Sequence, residues 1–304
     1  MANLKNIKTK IRSVEKSRQV TKAMEAVSAA KMRKAQVRAL SGRAYARAAA
    51  GILARVSGTR QMQAHALTQA RTVKKALYIV LTSDKGLAGA LNSSVLRATA
   101  ADIASLGLTE SQVSIIAIGR KAADFFTNRG YMVERSEHNI DSISSDFIEE
   151  LVRSAVTRFD MGDVDTVKIA YQNFVSTFEQ RPTLRTMFPL SLSELEQVVE
   201  DIRPAKGVFS NAADAEKPND YTIEPSEEEV LGAILPRLAS IFVYHALLES
   251  QASEHSARMV AMKSASDKAT DLRKVLTISF NKARQAAITR EVSEITGGME
   301  AMAV

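Results

Sequence analysis

Apolar residues near the start of the chain fall at Leu4, Ile7, Ile11 and Val14. Three-four-three spacing winds onto one stripe of a helix and makes the seam of a coiled coil. Arg18 occupies the next position on that stripe, and Val20, Met24 and Val27 take up an apolar spacing out of register, which predicts a local change of supercoil. Asn3 suits an N-cap, and helical character runs on through an Ala- and Arg-rich stretch to about Val56. At the other end, Ser226 and Glu229 form a capping box, and the acidic first turn complements the helix dipole. A three-four pattern follows through Ile234, Leu238, Ile241, His245, Leu248, Ala252, His255, Met259, Met262, Ser266 and Ala269, then fades through Leu276, Phe280 and Ala283 toward Ile295. Pro236 predicts a kink in the first turns, and Gly297-Gly298 reads as the helix stop. All six prolines lie between Pro182 and Pro236, so neither long pattern meets a breaker deep inside it. The simplest way to bury both seams is against each other, and their small residues let the backbones approach closely.

The middle follows a different period. Ala76–Leu81 (ALYIVL) and Val113–Ile118 (VSIIAI) are short apolar runs, each followed by a glycine-containing turn and a helix-like stretch. A third helix around Ser144–Phe159 precedes Thr166–Phe174, and Phe178 to Leu190 reads as a hairpin arm returning on it. Strands alternating with helices predict a mostly parallel sheet. Residues 204–226, rich in Pro, Asn, Asp and Ala, read as a mobile loop. The expected class is α/β: a long antiparallel coiled coil of the N- and C-terminal helices plus a small Rossmann-like α/β domain. The expected boundaries are 1–56 for the first helix, 57–225 for the α/β domain and 226–304 for the second helix.

Composition narrows the chemistry. The 304 residues include no cysteine, which removes disulfides, thiolate ligands and thiol switches. Aromatic residues make up 5 % with no Trp, while alanine collects at the ends, which favours closely packed helices over a bulky core. No apolar run of bilayer length and no apolar leader stands out on reading, so a cytosolic, peripheral location is expected. The net charge of +7 is uneven: residues 1–55 hold 14 Lys/Arg against 2 Asp/Glu, and residues 249–304 hold 8 against 7, leaving the middle acidic. Lys5, Lys8, Lys10 and Arg12 sit where the helix dipole disfavours cations by a few tenths to about 1 kcal/mol each, which points to an anionic partner. Nucleic acid is the weaker candidate, because no aromatic residue lies in the first 44 positions to stack on a base; a plain solvated face is the remaining alternative.

Ser83-Asp84-Lys85-Gly86-Leu87-Ala88-Gly89-Ala90-Leu91-Asn92 is the sharpest local motif, placed where a strand meets a helix. Such a junction can hold phosphate on backbone N–H groups, but the dinucleotide and P-loop patterns are absent. A tight turn with an Asp cap, using Asp84, Gly86, Gly89 and Asn92, is the preferred reading. The histidines at 65, 138, 245 and 255 show no metal-ligand spacing, and Asp267 and Asp271 with Lys263, Lys268 and Arg273 read as solvated helix charges.

Three separated stretches together resemble the gamma subunit of F-type ATP synthases: Ile11–Val14 followed by Thr21–Gln36, the SDKGLAGALN motif, and Asn281–Ile295 (NKARQAAITREVSEI). The resemblance runs the length of the chain. It implies a central-stalk rotor without catalytic residues or cofactors, one copy per complex, coupling proton flow to the conformational cycle of the beta subunits. The implied partners are the alpha and beta subunits, the epsilon subunit and the membrane c-ring, with no nucleic acid. The implied location is the cytoplasmic side of a bacterial plasma (inner) membrane. It also suggests ring contacts at Lys22, Met24 and Lys31 on the first helix and Arg284, Gln285, Thr289 and Glu291 on the last. Ala88 stands where the family motif commonly has Cys, so no thiol is needed there. A free-standing coiled-coil scaffold with an α/β cap is the alternative, and a nucleotide-using α/β enzyme with helical arms a third reading.

Overall fold

The computed structural model describes residues 2–41, 65–138, 143–191 and 226–302. The last part of the expected first helix, 42–56, and all but Ser226 of the expected mobile loop lie outside the described residues. The chain divides into two compact units, one formed by Met1–Ala30 with Arg258–Val304 and the other by Lys31–Ala257.

The larger unit is built on five strands: β1 (Ala76–Leu81), β2 (Val113–Ile118), β3 (Met132–Glu137), β4 (Thr166–Phe174) and β5 (Gln180–Phe188). Their order is β3-β2-β1-β4-β5, parallel throughout except for the β4–β5 pair. Helices α2 (Leu91–Ser105), α3 (Arg120–Thr127) and α4 (Ser145–Asp160) connect the parallel strands. Every residue of β1 is buried, because helices cover both faces of a parallel sheet and a central strand then reads as one apolar run. Leu77, Ile79 and Leu81 pack with Leu151, Ala155 and Phe159 of α4 and with Leu231, Leu235 and Leu238 of the final helix, α5 (Glu227–Met302). Tyr78 and Val80 face the other way, onto Val95 and Ile103 of α2 and Phe126 of α3.

β3 was not expected. Its sequence MVERSE is half charged, and its burial only alternates between partial and exposed. Those charges are spent at the edge: Arg135 reaches Glu137 at 2.9 Å and Glu150 at 3.1 Å, and Arg158 reaches Glu134 at 2.6 Å. Charged edge strands resist pairing with other chains, which is why this one lacks the apolar signature that reveals the others. β5 is the expected hairpin arm, and it makes the sheet mixed.

α5 spans 76 residues with Pro236 inside it. Ser226 caps it through Oγ, which accepts the Glu229 N–H at 3.3 Å. Its apolar beginning includes an 18-residue stretch of mean hydropathy 1.6, enough by length and composition alone to cross a bilayer and a correction to the sequence reading; 44 % of that stretch is buried inside the protein. Leu231, Leu235, Leu238 and Phe242 show what the hydropathy serves, since they belong to the domain core. Residues 246–256 are buried on every side, so the three-four stripe does not apply there. Ser253 donates to the Gln172 carbonyl at 3.1 Å and Ser256 to the Thr177 carbonyl at 2.7 Å, which lets a serine-rich helix lie in the interior.

In the smaller unit, the part of α1 (Ala2–Ser41) up to Ala30 and the part of α5 from Arg258 each bury one stripe. α1 begins at Ala2, so Asn3 lies in its first turn instead of preceding it. The expected slip of the seam does not occur. Val20 and Val27 are each 58 % exposed, while Arg18, Thr21, Glu25 and Ser28 carry the covered stripe forward in the original register. Polar residues fill these seam positions, so reading apolar residues alone shifts the stripe onto the wrong face. On α5 the covered stripe runs Met262, Ser266, Ala269, Arg273, Leu276, Phe280, Ala283 and Ala287. Glu15 and Arg273 are joined at 2.9 Å. With equal rise in both helices, an antiparallel pair meeting there puts the start of α1 level with about residue 287 of α5. Burial on α5 indeed ends at Ala287, and every described side chain beyond it is exposed. A parallel pair would instead cover that segment. Gly297-Gly298 does not stop the helix, which continues to Met302; neither glycine takes the left-handed backbone a stop requires.

Candidate functional site

The 83–92 motif is closed by its own hydrogen bonds. Asn92 Oδ1 accepts from the Ser83 N–H at 2.9 Å, Asn92 Nδ2 donates to Ser83 Oγ at 2.8 Å, and Ser83 Oγ donates to the Lys85 carbonyl at 2.6 Å. Asp84 caps a helix other than the one its own turn leads into: its Oδ1 accepts from the Arg120 N–H of α3 at 2.8 Å. His138 Nδ1 stands 3.4 Å from the same oxygen. The left-handed positions of the turn are Leu87 (φ 65°) and Gly89 (φ 60°), and Gly86 is not one of them. A side chain at Gly86 would meet nothing within 4 Å, so the turn does not depend on that glycine.

Strand order reverses direction between β1 and β4, and open α/β sheets hold ligands in the crevice at such a point. Here that crevice is filled by the chain itself. Gln172, 1 % exposed at the end of β4, donates to the Leu91 carbonyl and to Ser94 Oγ, both at 2.6 Å. Gly119 closes the neighbouring junction, where the Thr82 carbonyl sits 2.0 Å from any Cβ placed on it. Gln172 did not stand out in the sequence, lying within an apolar-looking strand, and Gly119 was read only as the glycine of the turn after its strand. Behind the sheet, Asp102 accepts from the Tyr78 hydroxyl at 2.6 Å and from Lys168 at 2.8 Å, tying α2 to β1 and β4. Burial, then the Asp102 carboxylate, raises the Tyr78 pKa far above its ordinary range.

The residues picked out on the two long helices do not form one cluster. Lys22 is exposed and sits 3.1 Å from Glu25. Met24 is half-buried beside the seam. Arg284, Gln285, Thr289 and Glu291 are all exposed near the far end of α5. In the antiparallel register, Met24 and Thr289 are roughly 35–40 Å apart along the axis. Lys31 is exposed and belongs to the other unit. Beyond the point where α1 begins, α5 carries Ile288, Val292, Ile295 and Met299 at four-three-four spacing, 51 %, 54 %, 64 % and 66 % exposed. A helix that keeps such an apolar stripe exposed has the pattern of one that packs against a partner. Sequence reading treated it only as a fading seam.

The Glu15 carboxylate is the main polar feature of the helix pair. Arg18 holds it at 2.8 Å from the same helix and Arg273 at 2.9 Å from the other. Hydrogen bonding to Arg18 is the chief cause that draws the Glu15 pKa below its ordinary value, against a smaller opposing effect of burial. Among the described residues, no group of three or more His, Asp or Glu has the arrangement to hold a metal ion.

Comparison with known proteins gives a consistent picture. A family model described as ATP synthase matches residues 3–302. An ATP synthase gamma chain of Staphylococcus saprophyticus is 38 % identical over 303 residues, covering 99 % of this chain and 100 % of the relative. That of Heliobacterium modesticaldum is 36 % identical over 304 residues with the same coverage. Among solved structures, a chain of the Euglena gracilis mitochondrial ATP synthase (OSCP/F1/c-ring, rotational state 3) has a TM-score of 0.67 at 21 % identity, over 99 % of this chain and 95 % of that one. A chain of the Tetrahymena thermophila mitochondrial ATP synthase central stalk/c-ring has a TM-score of 0.60 at 23 % identity, over 81 % and 99 %. At such identities the solved structures speak for the fold, and the family rests on the full-length sequence matches: this chain belongs to the ATP synthase gamma-chain family.

Proposed function

We propose that this chain is the rotating central shaft of its ATP synthase and performs no bond chemistry itself. The observation that carries the reading is the uneven surface of the helix pair in a gamma-family chain. α1 is basic and nearly free of acid, and α5 outlasts it as a single helix with an apolar stripe at Ile288, Val292, Ile295 and Met299. A shaft whose sides differ presents each of several surrounding subunits with a different surface, and turning it exchanges those surfaces. Long hydrogen-bonded helices with small seam residues supply stiffness.

In this reading the alpha and beta subunits surround the helix pair, and the epsilon subunit and membrane c-ring engage the α/β domain. Proton flow through the c-ring turns the shaft, one copy per complex, and the beta subunits change conformation in sequence. Lys22, Met24 and Lys31 on α1 and Arg284, Gln285, Thr289 and Glu291 on α5 are the proposed ring contacts. Exposure of the four α5 residues and of Lys22 and Lys31 supports this assignment. Asp84, Gly89 and Asn92 serve the turn. The complex lies on the cytoplasmic side of a bacterial plasma membrane, with this chain as a peripheral component. The domain division proposed at the outset, helix 1–56, α/β domain 57–225 and helix 226–304, assigns coupling to the ends and anchoring to the middle.

Affinity purification of the tagged chain from native membranes tests this. Co-recovery of alpha, beta and epsilon subunits with ATPase activity is expected. Recovery of a stable, folded chain alone would favour a free-standing scaffold.

A further inference from the structure

A cleft of about 410 Å³ opens between α4 and the beginning of α5, both within the larger unit. It exists because small side chains stand where the helices face: α5 offers Pro236 and Ser240, and α4 offers Ser145 and Thr157. Its floor is apolar, formed by Ile148, Val152, Val156 and Ile241, the outer layer of the core on that side of the sheet.

Two arginines line the same cleft, Arg153 from α4 and Arg237 from α5. Among the described residues, neither guanidinium has a hydrogen bond, ion pair or ring contact, whereas Arg71, Arg135, Arg158 and Arg181 of this unit each hold a carbonyl or carboxylate. Among the described residues of the lining, Glu149 is the one acid, which makes their net charge +1. Guanidinium forks match the planar, two-oxygen face of a carboxylate. The volume falls in the range that small-molecule sites occupy.

We propose that this cleft binds a carboxylate-headed amphiphile, such as a medium-chain fatty acid. The tail lies on the Ile148–Val152–Ile241 floor and the head group sits between Arg153 and Arg237. One negative charge matches the net charge of the lining, and the single apolar trough suits one hydrocarbon chain.

Titration calorimetry of the full chain with dodecanoate, kept below its micelle-forming concentration, tests the assignment. Saturable one-site binding is expected. Arg153→Gln with Arg237→Gln, both on exposed positions, weakens it by roughly tenfold or more. Ser240→Phe fills the cleft and abolishes binding, with a thermal melt confirming that the variant folds. Dodecyltrimethylammonium, with the same tail and opposite charge, does not compete. Non-saturating uptake, equal binding of the cationic amphiphile, or indifference to the arginine pair overturns the proposal. So does binding to the free chain that vanishes in the assembled synthase, which would assign the cleft to a contact between subunits.

Discussion

Glu15 and Arg273 are 258 positions apart in the chain, yet Arg273 donates to Glu15 Oε2 at 2.9 Å. Arg18 shares the same carboxylate. One acid held between two cations, within the covered stripe of the helix pair, fixes which residue of α5 stands level with α1. Polar seam contacts of this kind select register at some expense in stability.

The carboxylate also sets a pH dependence. Its folded pKa is depressed below 4.5, so the unfolded chain binds the extra proton first as pH falls. The resulting stability is fully present above that value and is lost as pH drops through the folded pKa. Glu15→Gln should lower the melting temperature near neutral pH and remove this part of the acid loss. Circular-dichroism melts at about pH 6 and about pH 3 check it; an unchanged acid dependence would show that Glu15 does not hold the pair.

Tyr78→Phe keeps the buried ring and loses the hydroxyl bond to Asp102. A hydrogen bond to a charged group contributes about 1.5–3 kcal/mol, which is the expected loss in denaturant unfolding. The raised tyrosine pKa means that the native state keeps its proton longer, so the wild-type fold loses stability as pH climbs past 10.0. The variant should lose less over that range. An equal alkaline loss in both would place the alkali-sensitive group elsewhere.

Gly119 and Gly86 should behave oppositely. A Cβ at Gly119 meets the Thr82 carbonyl at 2.0 Å on a backbone with φ 101°, whereas one at Gly86 meets nothing within 4 Å. Gly119→Ala is expected to destabilise by about 3 kcal/mol or more and Gly86→Ala by about 1 kcal/mol or less. Comparable losses measured by urea unfolding would contradict this account of the turn.

Much of this was legible in the sequence, for identifiable reasons. β1 and β2 announced themselves because strands covered on both faces are mostly apolar, and β4 through its alternating Val167, Ile169 and Tyr171. α4 was expected around Ser144–Phe159 and runs Ser145–Asp160, with Ser144 Oγ accepting the Phe147 N–H, a cap not singled out in the sequence. The edge strand β3 was missed because its charges do their work in solvent. The α1 seam was misplaced past Val14 because Arg18, Thr21 and Ser28 are covered by a partner helix that periodicity cannot see. Gln172 carried no signal either, since filling a crevice requires knowing which helix ends beside it. The candidate ring contacts came from family resemblance alone, and no local pattern distinguishes Thr289 from any other exposed helix residue.

Met24→Lys adds a cation to an already basic helix beside the seam without opening the core. It should fold, with a melting temperature near that of the wild type, and weaken the coupling of proton flow to ATP synthesis in membrane vesicles. Undiminished coupling would make Met24 a packing residue only.

Rotation itself is the central claim, and the absence of cysteine supplies a clean handle for it. Met161 is 74 % exposed on the α/β domain, so Met161→Cys gives this chain a single thiol for attaching a bead or fluorescent rod, in a surface-fixed complex whose other subunits have had any exposed cysteines replaced. Sustained rotation in one direction is expected when ATP is supplied, and none without it. A complex that hydrolyses ATP at the normal rate while the marked chain stays still would contradict it.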